Sequence, residues 1–371
     1  MDHDHGGFYG RIDGHDQLHT DAQKGIILNA RILWSFSAVY QSFPAPELLE
    51  LANRADQYLQ DHFIDREFNG VIWMVDHKGH PLQTRKQVYA QAFAIYAWSE
   101  HFKTTGNATS LNIARSLFKV LEEKAFDPIY GGYFEAFNQD WSVTDDLRLS
   151  DKDQNDQKSM NTMLHVLEAY TNLYQVWPDP RLMHPLRKIV IAFLHYILNR
   201  DAGSFHLFFA EDWSVRSDKK SYGHDIEAVW LLHDAVKVLD DQELIQQVQK
   251  LAVKVAEQVI KEGIDEDGGL INEAFADGSK DTNRHWWPQA ELMVGMLDLW
   301  QITKEESYLE VALKNWNFTK RYLIDADREW FFKVDAQGIP DRAEDKAGFW
   351  KCPYHNSRFC LEVSNRLDDI E

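Results

Sequence analysis

Three histidines, His165, His224 and His355, lie within long apolar segments that recur along the 371-residue chain. A free imidazole titrates near pH ~6.5, so it can both accept and release a proton at neutral pH. Two imidazoles placed on opposite faces of one bound carbon can remove a proton from one face and return a proton to the other. Their recurrence therefore predicts proton transfer at carbon, the minimum machinery of an epimerase.

Other polar or aromatic residues occupy related positions in the apolar segments. They are, in chain order, Arg31, Tyr89, Asn161, Glu227, Trp287 and Glu291. With one residue taken per segment (31, 89, 165, 224, 287 and 355), the intervals run from 58 to 76 residues. Burial of an unpaired polar group is costly, so each must face a partner or a central cavity. We therefore expect the six positions to lie at a similar height around one cavity.

The chain also contains a repeat that explains this spacing. Clusters of glycine with aromatic or β-branched residues start at intervals of 60 to 72 residues. They cover residues 6–10, 69–75, 131–137, 203–209, 268–275 and 328–334. Each predicts a tight turn followed by a short strand, and two helix-length segments lie between consecutive clusters. Six such units predict an all-α fold, an (α/α)6 barrel of helical hairpins with short hairpin-like loops at one end, as a single catalytic domain over residues 1–371.

The two helices of a unit differ in their apolar pattern. Residues 244–260 carry one apolar stripe opposite polar residues, which predicts an outer helix exposed on one side. Residues 26–40 and 224–236 are apolar around most of the circumference, which predicts buried inner helices. Eleven segments have helix length, namely 24–42, 46–64, 82–104, 107–124, 157–177, 181–199, 221–239, 241–261, 281–303, 306–324 and 352–368.

The composition excludes several classes of partner. The chain has 39 Lys and Arg against 59 Asp and Glu, a net charge of −20 with neutral histidines. Such a charge repels polyanions, so nucleic acid and anionic membranes are excluded as partners. No signal peptide is recognisable, no apolar run approaches the ~20 residues of a membrane span, and the spacing of Cys352 and Cys360 disfavours a disulfide. We expect a cytoplasmic protein.

Residue types alone leave alternatives to proton transfer. The histidines could be hydrogen-bonded core residues. His and Glu at i,i+3 within 165–168 and 224–227 could bind a metal, although we predict no metal. A glycoside hydrolase needs two carboxylates that flank one bond, and Asp225, Glu227 and Glu291 are available for that role. A non-catalytic sugar- or protein-binding barrel would not require paired bases.

The chain resembles the cellobiose 2-epimerase branch of the N-acylglucosamine 2-epimerase superfamily over nearly its whole length. The resemblance lies in GGFYGRID (6–13), NARILWSFS (29–37), MNTMLHVLEAYTNLY (160–174), SYGHDIEAVWLL (221–232), WWPQAE (286–291) and WKCPYHNSRFCLE (350–362). It implies an (α/α)6 barrel that interconverts the 2-epimers of a reducing-end sugar without a cofactor. Members of this family carry a further helix before the first glycine cluster. We therefore expect that a segment is omitted here, rather than that the barrel is open.

The resemblance also implies roles for individual residues. His224 and His355 are the acid/base pair, and His165 acts at the ring oxygen or the C1 oxygen. Residues matching substrate-holding positions are Arg31, Tyr89, Asn161, Glu227, Trp287 and Trp350, and Glu291 is predicted to join them. The implied substrate is a β-1,4-linked disaccharide such as cellobiose, and we expect a monomer or weak dimer. A mannose 2-epimerase or mannose–fructose isomerase acting on a monosaccharide is the alternative.

The implied reaction proceeds through an enediolate. The pyranose ring opens, and one histidine removes the C2 proton, which the adjacent aldehyde makes acidic. Hydrogen bonds from Arg31, Tyr89 and His165 stabilise the resulting cis-enediolate where its charge develops. The other histidine then delivers a proton to the opposite face of C2.

Overall fold

The computed structural model describes residues 1–368, and this part of the chain contains eleven α-helices. Most follow one another in pairs joined by only two or three residues, which makes them helical hairpins. They are α1 (Ile26–Ser42), α2 (Pro46–His62), α3 (Val88–Thr105), α4 (Ala108–Lys124), α5 (Met160–Val176), α6 (Pro180–Ala192), α7 (Tyr222–Leu239), α8 (Gln242–Gly263), α9 (Trp286–Thr303), α10 (Glu306–Phe318) and α11 (Tyr354–Asp368). The predicted helical hairpins are confirmed. No described helix combines the length and apolar content needed to cross a bilayer.

The contacts divide the chain into two compact units. Unit 1 comprises residues 1–192, 208–216 and 347–354, and the described part of unit 2 comprises residues 193–207, 217–346 and 355–368. The single catalytic domain over 1–371 stays a prediction, and its last residues, 369–371, lie outside the described residues.

In unit 1 the helices divide into inner and outer types. In α3 every residue from Val88 to His101 is buried, and α1 and α5 are buried almost as completely. By contrast, α2 and α4 bury a single face, on which Ala52, Ala55 and Leu59 lie in α2. The inner helix α3 packs on both α1 and α5. An inner helix therefore places its few polar side chains among apolar neighbours.

Unit 2 repeats this division. The predicted stripe of outer helix α8 is its buried face, made of Leu244, Val248, Leu251, Ala252, Val255, Ala256 and Val259. The inner helices α7 and α9 are buried along nearly their whole length and pack on each other. The predicted inner and outer patterns are therefore confirmed in both units.

Short strands precede most of the inner helices. They are β1 (Lys24–Gly25), β2 (Met74–Val75), β3 (Pro81–Gln83), β4 (Lys86–Gln87), β5 (Ala136–Phe137), β6 (Lys158–Ser159), β7 (Leu198–Asn199), β8 (Ser204–Phe205), β9 (Phe208–Phe209), β10 (Lys219–Ser221), β11 (Glu273–Phe275), β12 (Lys280–Asp281), β13 (Arg284–His285) and β14 (Lys333–Val334). The strand before an inner helix pairs antiparallel with the strand of the next glycine cluster, as β4 does with β5 and β13 with β14. Each pairing fixes where the inner helix begins.

Several predicted boundaries are wrong for identifiable reasons. The segments predicted as helices over 82–104 and 281–303 begin with strands, so their helices start at Val88 and Trp286. The segments predicted over 181–199 and 306–324 end in π-helical turns at Phe193–Ile197 and Thr319–Leu323. The first glycine cluster, residues 6–10, forms no strand.

Two of the glycines are required by a repeated indole contact in unit 1. Gly70 and Gly132 have φ values of 77° and 80°, in the left-handed region that favours glycine. A Cβ would lie 2.8 Å from the Trp141 ring at Gly70 and 2.5 Å from the Trp213 ring at Gly132. Each indole N–H donates to the carbonyl two residues before its glycine, at 2.9 Å. Two consecutive glycine clusters of the sequence repeat therefore make the same packing contact with a tryptophan.

Buried lysine–aspartate pairs tie the glycine loops of unit 1 to the inner helices. Each lysine lies two residues before its helix, and its Nζ is 2.6 Å from a carboxylate oxygen in the pairs Lys24–Asp2, Lys86–Asp65 and Lys158–Asp127. Breaking such a buried pair costs about 3–5 kcal/mol, because it leaves one charge uncompensated. The start of each inner helix in this unit is therefore held firmly.

Candidate active site

The ten predicted site residues fall into two groups, one within each unit. Unit 1 contains Arg31, Tyr89, Asn161, His165 and Trp350, which together with Glu168 and Tyr354 are called the His165 group below. Unit 2 contains His224, Glu227, Trp287, Glu291 and His355, which together with Ser221 and Arg358 are called the His355 group. Each group is densely hydrogen-bonded.

Arg31 is held in place by its neighbours in the His165 group. Its Nη2 donates to the Tyr89 hydroxyl and its Nη1 to the Trp350 carbonyl, both at 2.9 Å. The guanidinium lies over the rings of Phe93 and Tyr354, at 4.4 and 4.9 Å. Stacking and hydrogen bonding together preorganise this cation, as stabilisation of an oxyanion requires.

His165 is oriented by a carboxylate one helical turn further along α5. Its Nδ1 lies 2.8 Å from Glu168 Oε2, and the Tyr354 hydroxyl donates to Glu168 Oε1 at 2.6 Å. Its ring contacts those of Tyr89 and Phe93 at 4.9 and 4.8 Å. Because an ionised carboxylate only accepts, a neutral His165 carries its hydrogen on Nδ1 and its lone pair on Nε2. His165 and Glu168, whose spacing was considered as an alternative metal motif, are thus hydrogen-bonded to each other.

Asn161 presents a different feature, on the first turn of the same helix. Its Oδ1 is buried, and no donor among residues 1–368 reaches it. A buried carbonyl oxygen without a hydrogen bond costs about 1–3 kcal/mol, a cost that a bound hydroxyl would remove. Trp350, half-buried and 6.2 Å from the Tyr89 ring, offers an aromatic surface in the same group.

A shared carboxylate organises the His355 group. Glu291 Oε1 lies 2.7 Å from His355 Nδ1 and also accepts a hydrogen bond of 2.7 Å from Arg358 Nη2. The same Nη2 donates to Glu227 Oε1 at 2.6 Å, while Glu291 Oε2 accepts the indole N–H of Trp230 at 3.1 Å. His355 is therefore fixed through Nδ1, as His165 is, but by a carboxylate that also pairs with an arginine.

His224 is held by a neutral group instead. Its Nδ1 lies 2.7 Å from the hydroxyl of Ser221, three residues earlier. The Trp287 ring lies 4.7 Å from the His224 ring and 5.8 Å from the His355 ring, so the two imidazoles share one aromatic neighbour. Within unit 2, two imidazoles thus contact one indole and have unlike partners, a hydroxyl for His224 and a carboxylate for His355.

The carboxylates of the His355 group argue against the metal and hydrolase alternatives. Ligand atoms of Glu227, Glu291 and His355 lie within 4.8 Å of one another, a spacing compatible with a metal ion. Arg358 already donates to both carboxylates, however, and supplies the positive charge that they require. Burial raises the pKa of Asp225 to about 7, but its carboxylate accepts the backbone N–H of Phe205 at 2.8 Å. All three carboxylates considered for a hydrolase therefore hold protein partners.

Comparison with known proteins identifies the family. The model of the N-acylglucosamine 2-epimerase (GlcNAc 2-epimerase) family matches residues 7–357. The chain belongs to this family. It is 47% identical to the cellobiose 2-epimerase of Bacteroides fragilis over 98% of this chain and 93% of that protein. The predicted resemblance is thereby confirmed.

Solved structures of the GlcNAc 2-epimerase family and its relatives confirm the (α/α)6 fold class. The cellobiose 2-epimerase of Bacillus thermoamylovorans superposes with a TM-score of 0.93 at 40% identity, over 98% of this chain and 93% of that one. A D-mannose isomerase superposes with a TM-score of 0.83 at 20% identity, over 97% and 92%. At that identity, the likeness to the isomerase shows the fold alone.

Three residues of this family member escaped the sequence analysis. Ser221, Tyr354 and Arg358 contact predicted residues, yet none stands out by type. Ser221 and Arg358 lie three residues before His224 and three after His355, the i,i+3 spacing that brings side chains together on a helix face. That spacing was an available signal, whereas the bond between Tyr354 and Glu168 joins residues 186 positions apart.

Proposed function

We propose that the protein is a 2-epimerase that interconverts glucose and mannose at the reducing end of β-1,4-linked disaccharides such as cellobiose. The observation that carries this proposal is that the rings of His224 and His355 both contact the ring of Trp287. His224 has a hydroxyl partner, whereas His355 has a carboxylate partner. The extensive identity to a cellobiose 2-epimerase supports the disaccharide as substrate. The predicted enzyme class, an isomerase, agrees with the family.

The proton transfer at C2 requires one neutral and one protonated histidine. The open-chain aldehyde acidifies the C2–H bond, and the base takes this proton while the bonding electrons move towards O1. The acid then gives a proton to the other face of C2 as the carbonyl re-forms. The Glu291 carboxylate stabilises an imidazolium at His355, whereas the Ser221 hydroxyl adds no charge at His224. We therefore assign His224 as the base and His355 as the acid in one direction, with exchanged roles in the other.

For the His165 group we propose ring opening and stabilisation of the charge on O1. Nε2 of His165 exchanges a proton with the ring oxygen or O1, because Glu168 holds its Nδ1. Arg31 and Tyr89 act as the donors to the enediolate oxygen. Residues proposed to hold the sugar by hydrogen bonds or stacking are Asn161, Glu227, Trp287, Glu291 and Trp350.

The test uses cellobiose, glucose and mannose, each incubated separately in D2O, with products identified by NMR. We expect 4-O-glucosyl-mannose from cellobiose, with deuterium at C2 in nearly every product molecule, because both histidines exchange with solvent. Formation of a keto sugar would identify an isomerase, since that reaction moves the proton from C2 to C1. Activity on glucose and mannose alone would identify a monosaccharide enzyme.

Variants test the histidine assignment. His224→Ala and His355→Ala should each lower turnover by at least about 10²-fold, the usual contribution of general acid–base catalysis, while the fold remains. The matched control is His184→Ala, which removes an exposed histidine from α6. Retention of more than about a tenth of wild-type turnover in either site variant would refute the acid/base assignment.

A further inference from the structure

Arg358 occupies a position that none of the roles above accounts for. One nitrogen of its guanidinium, Nη2, donates to Glu227 Oε1 at 2.6 Å and to Glu291 Oε1 at 2.7 Å. The side chain is 2% exposed, and its guanidinium lies 4.9 Å from the Trp230 ring centroid. The Glu291 oxygen that it contacts is the one bonded to His355. Arg358 and His355 therefore share one acceptor atom.

The charges around His355 come from three helices. Glu227 lies on α7, Glu291 on α9 and Arg358 on α11, and His224 is the other titratable group near Trp287. Glu362, one turn after Arg358 on α11, pairs with Arg366, and burial raises its pKa to about 7 although the charges of Arg366 and Arg358 act to lower it. Arg358 offsets one of the two negative charges of Glu227 and Glu291, and an imidazolium at His355 would offset the other. Without Arg358 they would carry two, and an imidazolium would be held too strongly to release its proton.

We propose that Arg358 is a positioning residue for proton transfer: it fixes the Glu291 carboxylate against His355 Nδ1 and offsets enough negative charge to let His355 release its proton. The inference rests on the proposed epimerase reaction. It concerns a residue that touches neither the sugar nor the C2 proton in this mechanism and that acts through Glu291.

The same helix offers a matched control. Arg366, two turns further along α11, is also buried, donates to Asp298 at 2.8 Å and lies 6.0 Å from the Trp230 ring centroid. It contacts no residue of the His355 group that carries the proposed chemistry. Arg366→Met therefore breaks a comparable buried ion pair without altering the partner of His355.

The experiment compares Arg358→Met, Arg358→Lys and Arg366→Met by kcat, KM, pH profile and thermal midpoint on cellobiose. For Arg358→Met we expect kcat to fall by about 10²-fold with a nearly unchanged KM. The alkaline limb of its pH profile should move up by roughly one unit or more, because the imidazolium gains stability. Arg358→Lys keeps the charge but not the geometry, so kcat should fall about tenfold with both limbs in place. Arg366→Met should lower only the thermal midpoint.

Two results would overturn the proposal. The first is that Arg358→Met and Arg366→Met have the same kcat and the same pH profile. Arg358 would then have only a structural role. The other, decisive if Arg358→Met does not fold, is a kcat within twofold of wild type in Arg358→Lys. Neither result can be confused with failure of the proposed function, because that failure appears as a wild-type protein without epimerase activity.

Discussion

Replacing Glu291 by glutamine is the sharpest perturbation of the proposed acid/base pair, because it removes a charge and leaves the shape. In the native protein both carboxylate oxygens receive hydrogen bonds, Oε1 from His355 and Arg358 and Oε2 from Trp230. A glutamine has one carbonyl oxygen and one NH2 group. Whichever way the glutamine amide is oriented, its NH2 group therefore faces at least one hydrogen-bond donor of a neighbouring side chain.

The structure also gives the size of the effect. A hydrogen bond to a charged group contributes about 1.5–3 kcal/mol, and about 1.4 kcal/mol corresponds to a tenfold change in rate. If the glutamine keeps the hydrogen bond from the Trp230 indole and loses the two hydrogen bonds at the position of Oε1, the lost energy is about 3 kcal/mol even at the weaker end of that range. This energy corresponds to a decrease in rate of about 10²-fold. We expect kcat in Glu291→Gln to fall by about 10²-fold with KM changed much less, because His355 is misoriented when the proton moves.

The assay measures epimer formation from cellobiose across the pH range by NMR. The alkaline limb of the pH profile should move to lower pH in Glu291→Gln, because the imidazolium of His355 loses its anionic partner. The control is Glu257→Gln, the same exchange at an exposed position of α8. A kcat within threefold of wild type, together with an unmoved alkaline limb, would refute the claim that Glu291 controls His355.

Two further perturbations address the other unit and the stability of the fold. Tyr354→Phe removes the donor to Glu168, so kcat should fall about tenfold with a small drop in thermal midpoint; unchanged kinetics would contradict the proposed orientation of His165. Burial raises the pKa of Asp225 from 3.8 to about 7, so the folded state binds this proton more tightly than the unfolded state. Stability should therefore decline from about pH 4 to pH 7 and level off above, by up to about 4 kcal/mol. Asp225→Asn should make that decline shallower in urea unfolding at pH 5 and 8, while Glu135 and Glu362, whose pKa burial also raises to about 7, should keep the rest of it. An equally steep decline in the variant would show that Asp225 does not contribute.

The helices were predictable because their signal is local. The stripe from Leu244 to Val259 repeats every three to four residues, and such a pattern requires only that one helix face meets the core. The strands Lys86–Gln87 and Arg284–His285 gave no such signal, since two residues are too few to show alternation. Their pairing with the next repeat decides where α3 and α9 begin, and a long-range contact of this kind is invisible in a local pattern.

The same reasoning separates the site residues that were found from those that were missed. A histidine on an apolar helix stands out by its type, and its recurrence with the repeat made His165, His224 and His355 candidates; their catalytic roles stay predictions. Arg31 and Tyr89 were singled out because they recur at the same place in the repeat, whereas Arg358 gains its meaning from Glu227, which lies 131 residues away in the chain. The buried lysines before the inner helices were missed for this reason, although Lys24, Lys86 and Lys158 recur with the repeat.

In the proposed mechanism, the unlike partners of His224 and His355 bear on how the pair returns to its starting protonation state after each turnover. A reversible epimerisation ends each turnover with the proton on the histidine that began without it. A partner that fixed one histidine permanently in its charged form would prevent it from releasing its proton and would stop turnover in both directions. Glu291 favours the charged form of His355. Arg358 donates a hydrogen bond to the same carboxylate oxygen, and its positive charge limits that preference. The Ser221 hydroxyl does not offset that preference, so in the proposed mechanism Arg358 limits the energy difference between the two proton distributions, and exchange with solvent resets the pair between turnovers.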